Sequence, residues 1–228
     1  MSIIQVAGII DAKEADMLIN EGVDWLGFPL RLPSGRDDIS ESEATSILQS
    51  LPKPHRGVLI SYMTEADEVS RFCDQLCLDA VQLHGDISMK ELAKLREARP
   101  DLYLLKSLVV RSDNMNGLLQ LIDDSSEWVD MYITDTFDPI TGAKGATGIT
   151  HDWSVSKELV RHSERPLMMA GGLSPENIGE AIREVQPAAI DAHSLLEGPD
   201  GRKDRNKIRR FVSEARAAFD EIGATTLV

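Results

Sequence analysis

The chain has 228 residues, with 24 Lys and Arg against 38 Asp and Glu, and a formal net charge of −14 at pH 7. This acidity argues against nucleic acids and anionic membrane surfaces as partners, because both require a basic surface on the protein. No apolar run approaches the roughly 20 residues that cross a bilayer, and the first residues, MSIIQVAGIIDAKEAD, contain neither a basic leader nor a small-residue cleavage site. We therefore expect a globular, cytoplasmic protein.

Short apolar, β-branched segments alternate with amphipathic segments along the chain and predict eight βα units. The predicted strands cover residues 3–7, 25–30, 57–61, 80–84, 102–110, 130–135, 166–171 and 188–192. Eight units in a chain of this length favour one closed (β/α)8 TIM barrel, and no Gly-x-Gly-x-x-Gly follows the first strand to support a dinucleotide-binding sheet. We assign residues 1–222 to the barrel and 223–228 to a C-terminal tail.

Cys73 and Cys77 are the only cysteines, and they lie one helical turn apart. Two thiols without clustered histidines indicate neither a zinc site nor a disulfide framework, so we expect both to be buried as small apolar residues. His, Asp and Glu residues also do not cluster with the spacing of metal ligands, and we predict no metal.

The active site of such a barrel is built at the carboxyl ends of its strands, and two glycine-containing turns there predict an anion site. Gly171 and Gly172 follow the seventh strand and precede a helix predicted to open at Ser174-Pro175, so backbone N–H groups could approach a phosphate; a simple tight turn is the alternative. Gly145 and Gly148 lie in the long segment after the sixth strand, which predicts a loop that closes over a ligand, or a flexible surface loop. We therefore expect a small phosphorylated or anionic metabolite as the binding partner.

The combined motifs resemble those of phosphoribosylanthranilate isomerases in order and spacing over essentially the whole chain. The similar blocks include VQLHG (81–85), GATG (145–148) and AGGLSPEN (170–177). The chain is identified as a member of this superfamily. The resemblance implies an aminoaldose to aminoketose (Amadori) rearrangement of a 5-phosphoribosyl amine in tryptophan biosynthesis, with no cofactor. We expect a monomer or a homodimer.

The resemblance places the general acid, which protonates the sugar ring oxygen, at Asp135; a structural loop cap is the alternative. The family's base, a cysteine after the first strand, is replaced here by Ala7, whose methyl group cannot carry a proton. Strand 8 lies next to strand 1 in a closed barrel, so we expect His193 to enter beside Ala7. It would serve there as a replacement base, or would only fill volume or contact a ligand.

The other predicted site residues concern substrate binding. Arg36 is expected to contact the anthranilate carboxylate, with a solvated charge cluster as the alternative. His84 is expected to position a ligand or to be structural, and Ser194 to bind the phosphate. Leu195 occupies the position of a family glycine, so the backbone approach to the phosphate should differ there.

Three functions are compatible with these observations. The first is an isomerase of this family with Asp135 as acid and a non-standard base such as His193. The second is a family member that has moved to another lyase or epimerase reaction, since one barrel supports many chemistries. The third is a non-catalytic protein that kept the pocket and binds its ligand without turnover.

Overall fold

A computed structural model describes residues 2–35, 37–111, 113–136 and 152–225. It confirms the predicted barrel, because eight parallel strands pair in chain order and the last pairs with the first. The strands are β1 Ile3–Ala7, β2 Trp25–Pro29, β3 Arg56–Ser61, β4 Ala80–Leu83, β5 Tyr103–Val110, β6 Met131–Thr136, β7 Leu167–Met169 and β8 Ala189–Ala192. Their ends lie within two residues of the predicted ends.

Helices alternate with these strands and cover the outside of the barrel. They are α1 Ala12–Asn20, α2 Glu41–Ser50, α3 Ala66–Leu76, α4 Met89–Ala98, α5 Met115–Ser125, α6 Trp153–His162, α7 Ile178–Val185 and α8 Arg205–Thr225, with a short 3-10 helix at Ser194–Leu196. Helix α8 therefore includes 223–225, which the sequence analysis assigned to the tail; the domain boundary itself stays a prediction. Within the described residues, no helix is long and apolar enough to cross a membrane.

Local side-chain hydrogen bonds explain where several helices begin. Before α2, the Ser40 hydroxyl accepts the Glu43 N–H at 3.2 Å while the Glu43 carboxylate accepts the Ser40 N–H at 3.3 Å. This reciprocal pair satisfies two N–H groups that the helix itself cannot pair. Asp11 and Ser88 cap α1 and α4 through their side chains.

The predicted opening of α7 at Ser174-Pro175 is wrong, because the helix begins at Ile178. The Asn177 amide holds the preceding residues in a turn. Its oxygen accepts the Ser174 N–H at 2.8 Å and its NH2 group donates to the Gly172 carbonyl at 2.9 Å. Gly171 and Gly172 are consequently separated from the helix by this turn.

The prediction for the cysteines is half wrong, since Cys73 is buried but Cys77 is exposed. Cys77 ends α3 in the left-handed conformation, with φ of 56°. Its side chain is thereby removed from the apolar face of the helix.

The core has two parts, one between the sheet and the helices and one inside the barrel. The inner part is made by apolar side chains, namely Trp25, Val58, Ala80, Leu105, Met131, Ile133, Met168, Ala170 and Ala189. Because side chains alternate across a strand, the next inward positions continue toward the carboxyl ends. Several of these carry buried polar groups, namely Gln5, Gln82, Ser107 and Asp191. The barrel interior thus changes from apolar to polar toward the end where a barrel builds its active site.

Candidate active site

A pocket opens at the carboxyl ends of the strands. Its lining includes Ala7, Tyr62, Gln82, His84, Asp135, Gly171, Gly172, Asp191, His193, Ser194 and Leu195. Six of the predicted site residues are brought together here, namely Asp135, His193, His84, Gly171, Gly172 and Ser194. The other three predicted site residues, Arg36, Gly145 and Gly148, lie outside the described residues.

Asp135 lies near the end of β6 with only 8% of its surface exposed. One carboxylate oxygen accepts the Thr136 N–H at 2.8 Å, and the other lies 3.6 Å from Nδ1 of His84. Burial raises the pKa of Asp135, opposed by the charge of His84 and by the Thr136 N–H. A carboxyl group with a raised pKa holds its proton closer to neutral pH, as a general acid must.

The His84 ring is held in place from two sides. Its Nδ1 lies 3.1 Å from the Ser107 hydroxyl, and its ring centroid lies 4.7 Å from that of Tyr62. His84 thereby presents a fixed imidazole to Asp135. Tyr62 was not predicted as a site residue. Its pKa is raised to about 12 by burial and by the charge of Asp135, so the phenol is uncharged at neutral pH.

His193 follows β8 and covers the backbone of Gly8. A Cβ added to Gly8 would lie only 2.1 Å from Nε2 of His193, so the ring occupies space that only a glycine leaves open. The same Nε2 lies 3.4 Å from the Glu197 carboxylate, and a quarter of the side chain is exposed. Burial, together with the charge of Lys203, lowers the pKa of His193 to about 4. The imidazole is therefore uncharged at neutral pH but has a low affinity for a proton.

Asp191 is a buried carboxyl group to which the sequence analysis gave no role. Its Oδ1 atom and the Oε1 atom of Gln5 have no hydrogen-bond partner among the described residues. Burial raises the pKa of Asp191 to about 8, and the charge of Asp135 adds to this, whereas Gln5 and Lys203 oppose it. One signal in the sequence was an acidic residue near the carboxyl end of an otherwise apolar predicted strand.

A row of polar side chains crosses the barrel beneath the pocket. Gln5 donates to Gln82 at 3.3 Å, Gln82 donates to the Ser107 hydroxyl at 3.5 Å, and that hydroxyl contacts His84. These contacts run from β1, beside Asp191, to the imidazole that faces Asp135. The floor of the pocket is thus a connected polar layer on top of an apolar core.

The predicted phosphate turns are also at the pocket. Gly171 and Gly172 have φ values of 99° and 61°, a conformation that residues with a Cβ adopt rarely. Ser194 starts the short 3-10 helix, and the adjacent Leu195 side chain is 36% exposed. Among the described residues, no group of three or more His, Cys, Asp or Glu side chains could hold a metal ion.

The fold is a parallel (β/α)8 barrel, and a pocket at the carboxyl ends of its strands contains two buried carboxyl groups, Asp135 and Asp191. Residues 4–214 match the model of one family, described as N-(5'phosphoribosyl)anthranilate (PRA) isomerase. The chain belongs to this family.

Known proteins similar to this chain agree with the family match. N-(5'-phosphoribosyl)anthranilate isomerase 2 of Methanosarcina mazei is 34% identical over 220 residues, which cover 96% of each chain. The solved phosphoribosyl anthranilate isomerase of Thermotoga maritima is 28% identical with a TM-score of 0.80, covering 95% of this chain and all of its own. Another solved isomerase, in complex with reduced 1-(o-carboxyphenylamino)-1-deoxyribulose 5-phosphate, is 26% identical with a TM-score of 0.78, over 95% of this chain and all of its own.

Replacing Gly8 by alanine tests the packing of His193. The new Cβ would collide with the imidazole, and the φ of +77° is strained for alanine, so we expect His193 to be displaced. Backbone strain should also lower the free energy of unfolding by about 1–2 kcal/mol. Gly201→Ala is the matched control, because its φ of +76° brings similar strain with no atom within 4 Å of the added Cβ. NMR signals of His193 should shift in Gly8→Ala alone, and equal spectra for the two variants would contradict the described contact.

Asp191→Asn should stabilise the protein in a pH-dependent way. The folded-state pKa of about 8 lies above the ordinary value, so the unfolded chain releases this proton at lower pH. The free energy of unfolding of the wild type should therefore fall as pH rises from about 4 to about 8. The asparagine variant does not lose this free energy of unfolding, so its stability relative to wild type should increase from about pH 4 to about pH 8. Denaturant unfolding at several pH values measures the free energy of unfolding of each variant, with the exposed Asp220→Asn as the control. A stability difference between Asp191→Asn and wild type that does not change with pH would be incompatible with a raised pKa.

Proposed function

We propose that the protein catalyses the isomerisation of N-(5'-phosphoribosyl)anthranilate, an aminoaldose, to the corresponding aminoketose. The observation that carries this proposal is the buried Asp135 carboxyl group with a raised pKa at the end of β6, inside the pocket. Membership of the family supports the substrate class. The reaction class needs one acid and one base and no cofactor.

Asp135 acts as the general acid. It donates its proton to the ring oxygen of the ribose as the bond from that oxygen to C1 breaks. The lone pair of the anthranilate nitrogen then forms a double bond to C1, giving an open-chain protonated Schiff base. His84, held by Ser107 and Tyr62, positions the Asp135 carboxyl group and stabilises the carboxylate after the proton has left.

The base is proposed to come from β8, since Ala7 cannot provide one on β1. The predicted base, His193, is uncharged at neutral pH and lies against Gly8, next to Ala7. Asp191 lies two residues before His193 in the same pocket.

Gly171, Gly172 and Ser194 are proposed to hold the phosphate through their backbone, and Leu195 would form an apolar edge beside it. Arg36 is proposed to bind the anthranilate carboxylate. Gly145 and Gly148 are proposed to belong to a loop that closes over the substrate. We further propose that the protein acts in the cytoplasm as a monomer or a homodimer.

A second candidate function is favoured by one observation, the alanine at position 7. A chain without the family's base could retain the pocket as a binding protein, or could have moved to a lyase or epimerase reaction that needs only the acid. Reduced 1-(o-carboxyphenylamino)-1-deoxyribulose 5-phosphate serves here as the reduced product analogue. Wild type that binds this analogue but does not turn over phosphoribosylanthranilate would favour these alternatives over the isomerase.

Asp135→Asn tests the isomerase directly with phosphoribosylanthranilate generated in situ. The amide cannot donate the proton, so kcat/KM should fall by about 10²–10⁴-fold, the usual contribution of general acid–base catalysis. Affinity for the reduced product analogue should change much less. Asp220→Asn, on the exposed side of α8, should behave as wild type. Activity of Asp135→Asn close to that of wild type would exclude Asp135 as the acid.

A further inference from the structure

The β1 and β8 strands place Asp191 in the pocket, one inward position before the level of the missing base. Their parallel pairing sets Gln5 opposite Asp191 and Val6 opposite Ala192. Ala7 is the next inward-facing residue of β1 after Gln5, and it lines the same pocket as Asp191 and Asp135. A carboxyl group on β8 therefore lies in the same pocket as the position of the missing base, one inward position closer to the amino end of the barrel.

The unpaired atoms around Asp191 indicate that this group acts on a ligand. The residue is only 8% exposed, yet Oδ1 has no hydrogen-bond partner among the described residues. Oε1 of the neighbouring Gln5 is also buried and has no hydrogen-bond partner among the described residues. Buried polar atoms without partners are uncommon and costly in proteins, and they occur where a ligand or a transferred proton completes the site. A protonated Asp191 carboxyl group could donate a hydrogen bond to Oε1 of Gln5. The protonation state of Asp191 would then affect the hydrogen bonds of the polar layer that begins at Gln5.

We propose that Asp191 is the catalytic base that replaces the family's cysteine. This inference rests on the proposed isomerase function and names the residue that performs its second step. The Asp191 carboxylate takes the proton from C2 of the protonated Schiff base. The electron pair of that C–H bond becomes the double bond between C1 and C2, and the pair of the C=N bond returns to nitrogen. The products of the step are a neutral enaminol and a protonated Asp191.

The proton affinities favour Asp191 over His193 for this step. An unperturbed cysteine has a pKa of about 8.5, and the pKa of about 8 for Asp191 gives its carboxylate a comparable affinity for a proton. His193, with a pKa of about 4, is a much weaker base. Its ring instead packs against the backbone of Gly8 and lines the pocket.

The charged groups around Asp191 set how the site responds to pH. Asp135 faces it from β6 and disfavours its ionisation, while Lys203 favours it. His84 in turn faces Asp135, and His193 follows on the same strand. Two carboxyl groups that repel each other share one proton over the range between their two pKa values. Within that range the proton lies mainly on Asp191, and the active form is the one in which it lies on Asp135 instead and leaves Asp191 charged; the site loses this last proton near pH 8.

The experiment is a pH profile of kcat/KM for wild type and three variants. Wild type should lose activity above about pH 8, as the shared proton leaves. Asp191→Asn should reduce kcat by about 10²–10⁴-fold with little change in KM, because the asparagine keeps the shape but not the base. His193→Ala should lose about tenfold or less and keep the pH profile, since it removes only the ring that packs against Gly8. Ala7→Cys combined with Asp191→Asn should recover at least about tenfold over Asp191→Asn alone, as a thiol restores a base.

The outcomes separate this inference from the proposed function. Activity in wild type with an unchanged kcat and pH profile in Asp191→Asn would overturn the role of Asp191 and leave the isomerase standing. Loss of turnover in His193→Ala, with Asp191→Asn active, would assign the base to His193. A raised KM with an unchanged kcat in Asp191→Asn would make Asp191 a substrate contact and also overturn the inference. No turnover by correctly folded wild type would overturn the proposed function and the role of Asp191 together.

Discussion

The burial of two carboxyl groups, Asp135 and Asp191, at the upper end of the barrel interior is the constraint on which the site depends. Both lie on inward positions above an apolar core, where water cannot solvate a charge well. Burial is accordingly the first cause of the raised pKa of each group, and the charge of Asp135 also raises the pKa of Asp191. A pair of carboxyl groups in this condition carries both proton-donating and proton-accepting capacity near neutral pH, which is what an acid–base isomerisation requires.

Closure of the barrel determines which side chains of β8 reach the pocket. Pairing of β8 with β1 is the step that turns eight successive βα units into a ring, and it brings His193 against Gly8 and Asp191 opposite Gln5, in the pocket that Ala7 also lines. A base lost from one strand can therefore be replaced from the neighbouring strand without any change in the fold. The loss of stability that a buried carboxyl group causes at neutral pH is consistent with a functional position, because sites commonly retain such groups at the expense of stability.

The fold could be predicted almost completely, since alternating apolar strands and amphipathic helices leave a periodic signal that fixes the element order. The failures are local. The start of α7 depends on the hydrogen bonds of one amide side chain, Asn177, and the exposure of Cys77 depends on one left-handed residue. Neither leaves a trace in the hydrophobic pattern.

The site was predicted in part, and the missing part has a physical cause. Family-like blocks led to Asp135, His84, Gly171 and Gly172, which do line one pocket. The burial and the raised pKa of Asp191 could not be predicted, because the orientation of a residue in a strand and its desolvation follow from the closed barrel and not from the residue type. The functions of Arg36, Gly145 and Gly148 stay predictions.

The most direct test of this account is an NMR titration of the protein with 13C-labelled aspartate carboxyl groups. The account predicts one carboxyl signal that titrates near pH 8 in wild type and is absent from Asp191→Asn. It also predicts that the Asp135 signal moves when Asp191 is replaced, because the two charges interact. Titration of every aspartate close to the unperturbed pKa of about 3.9 would contradict it.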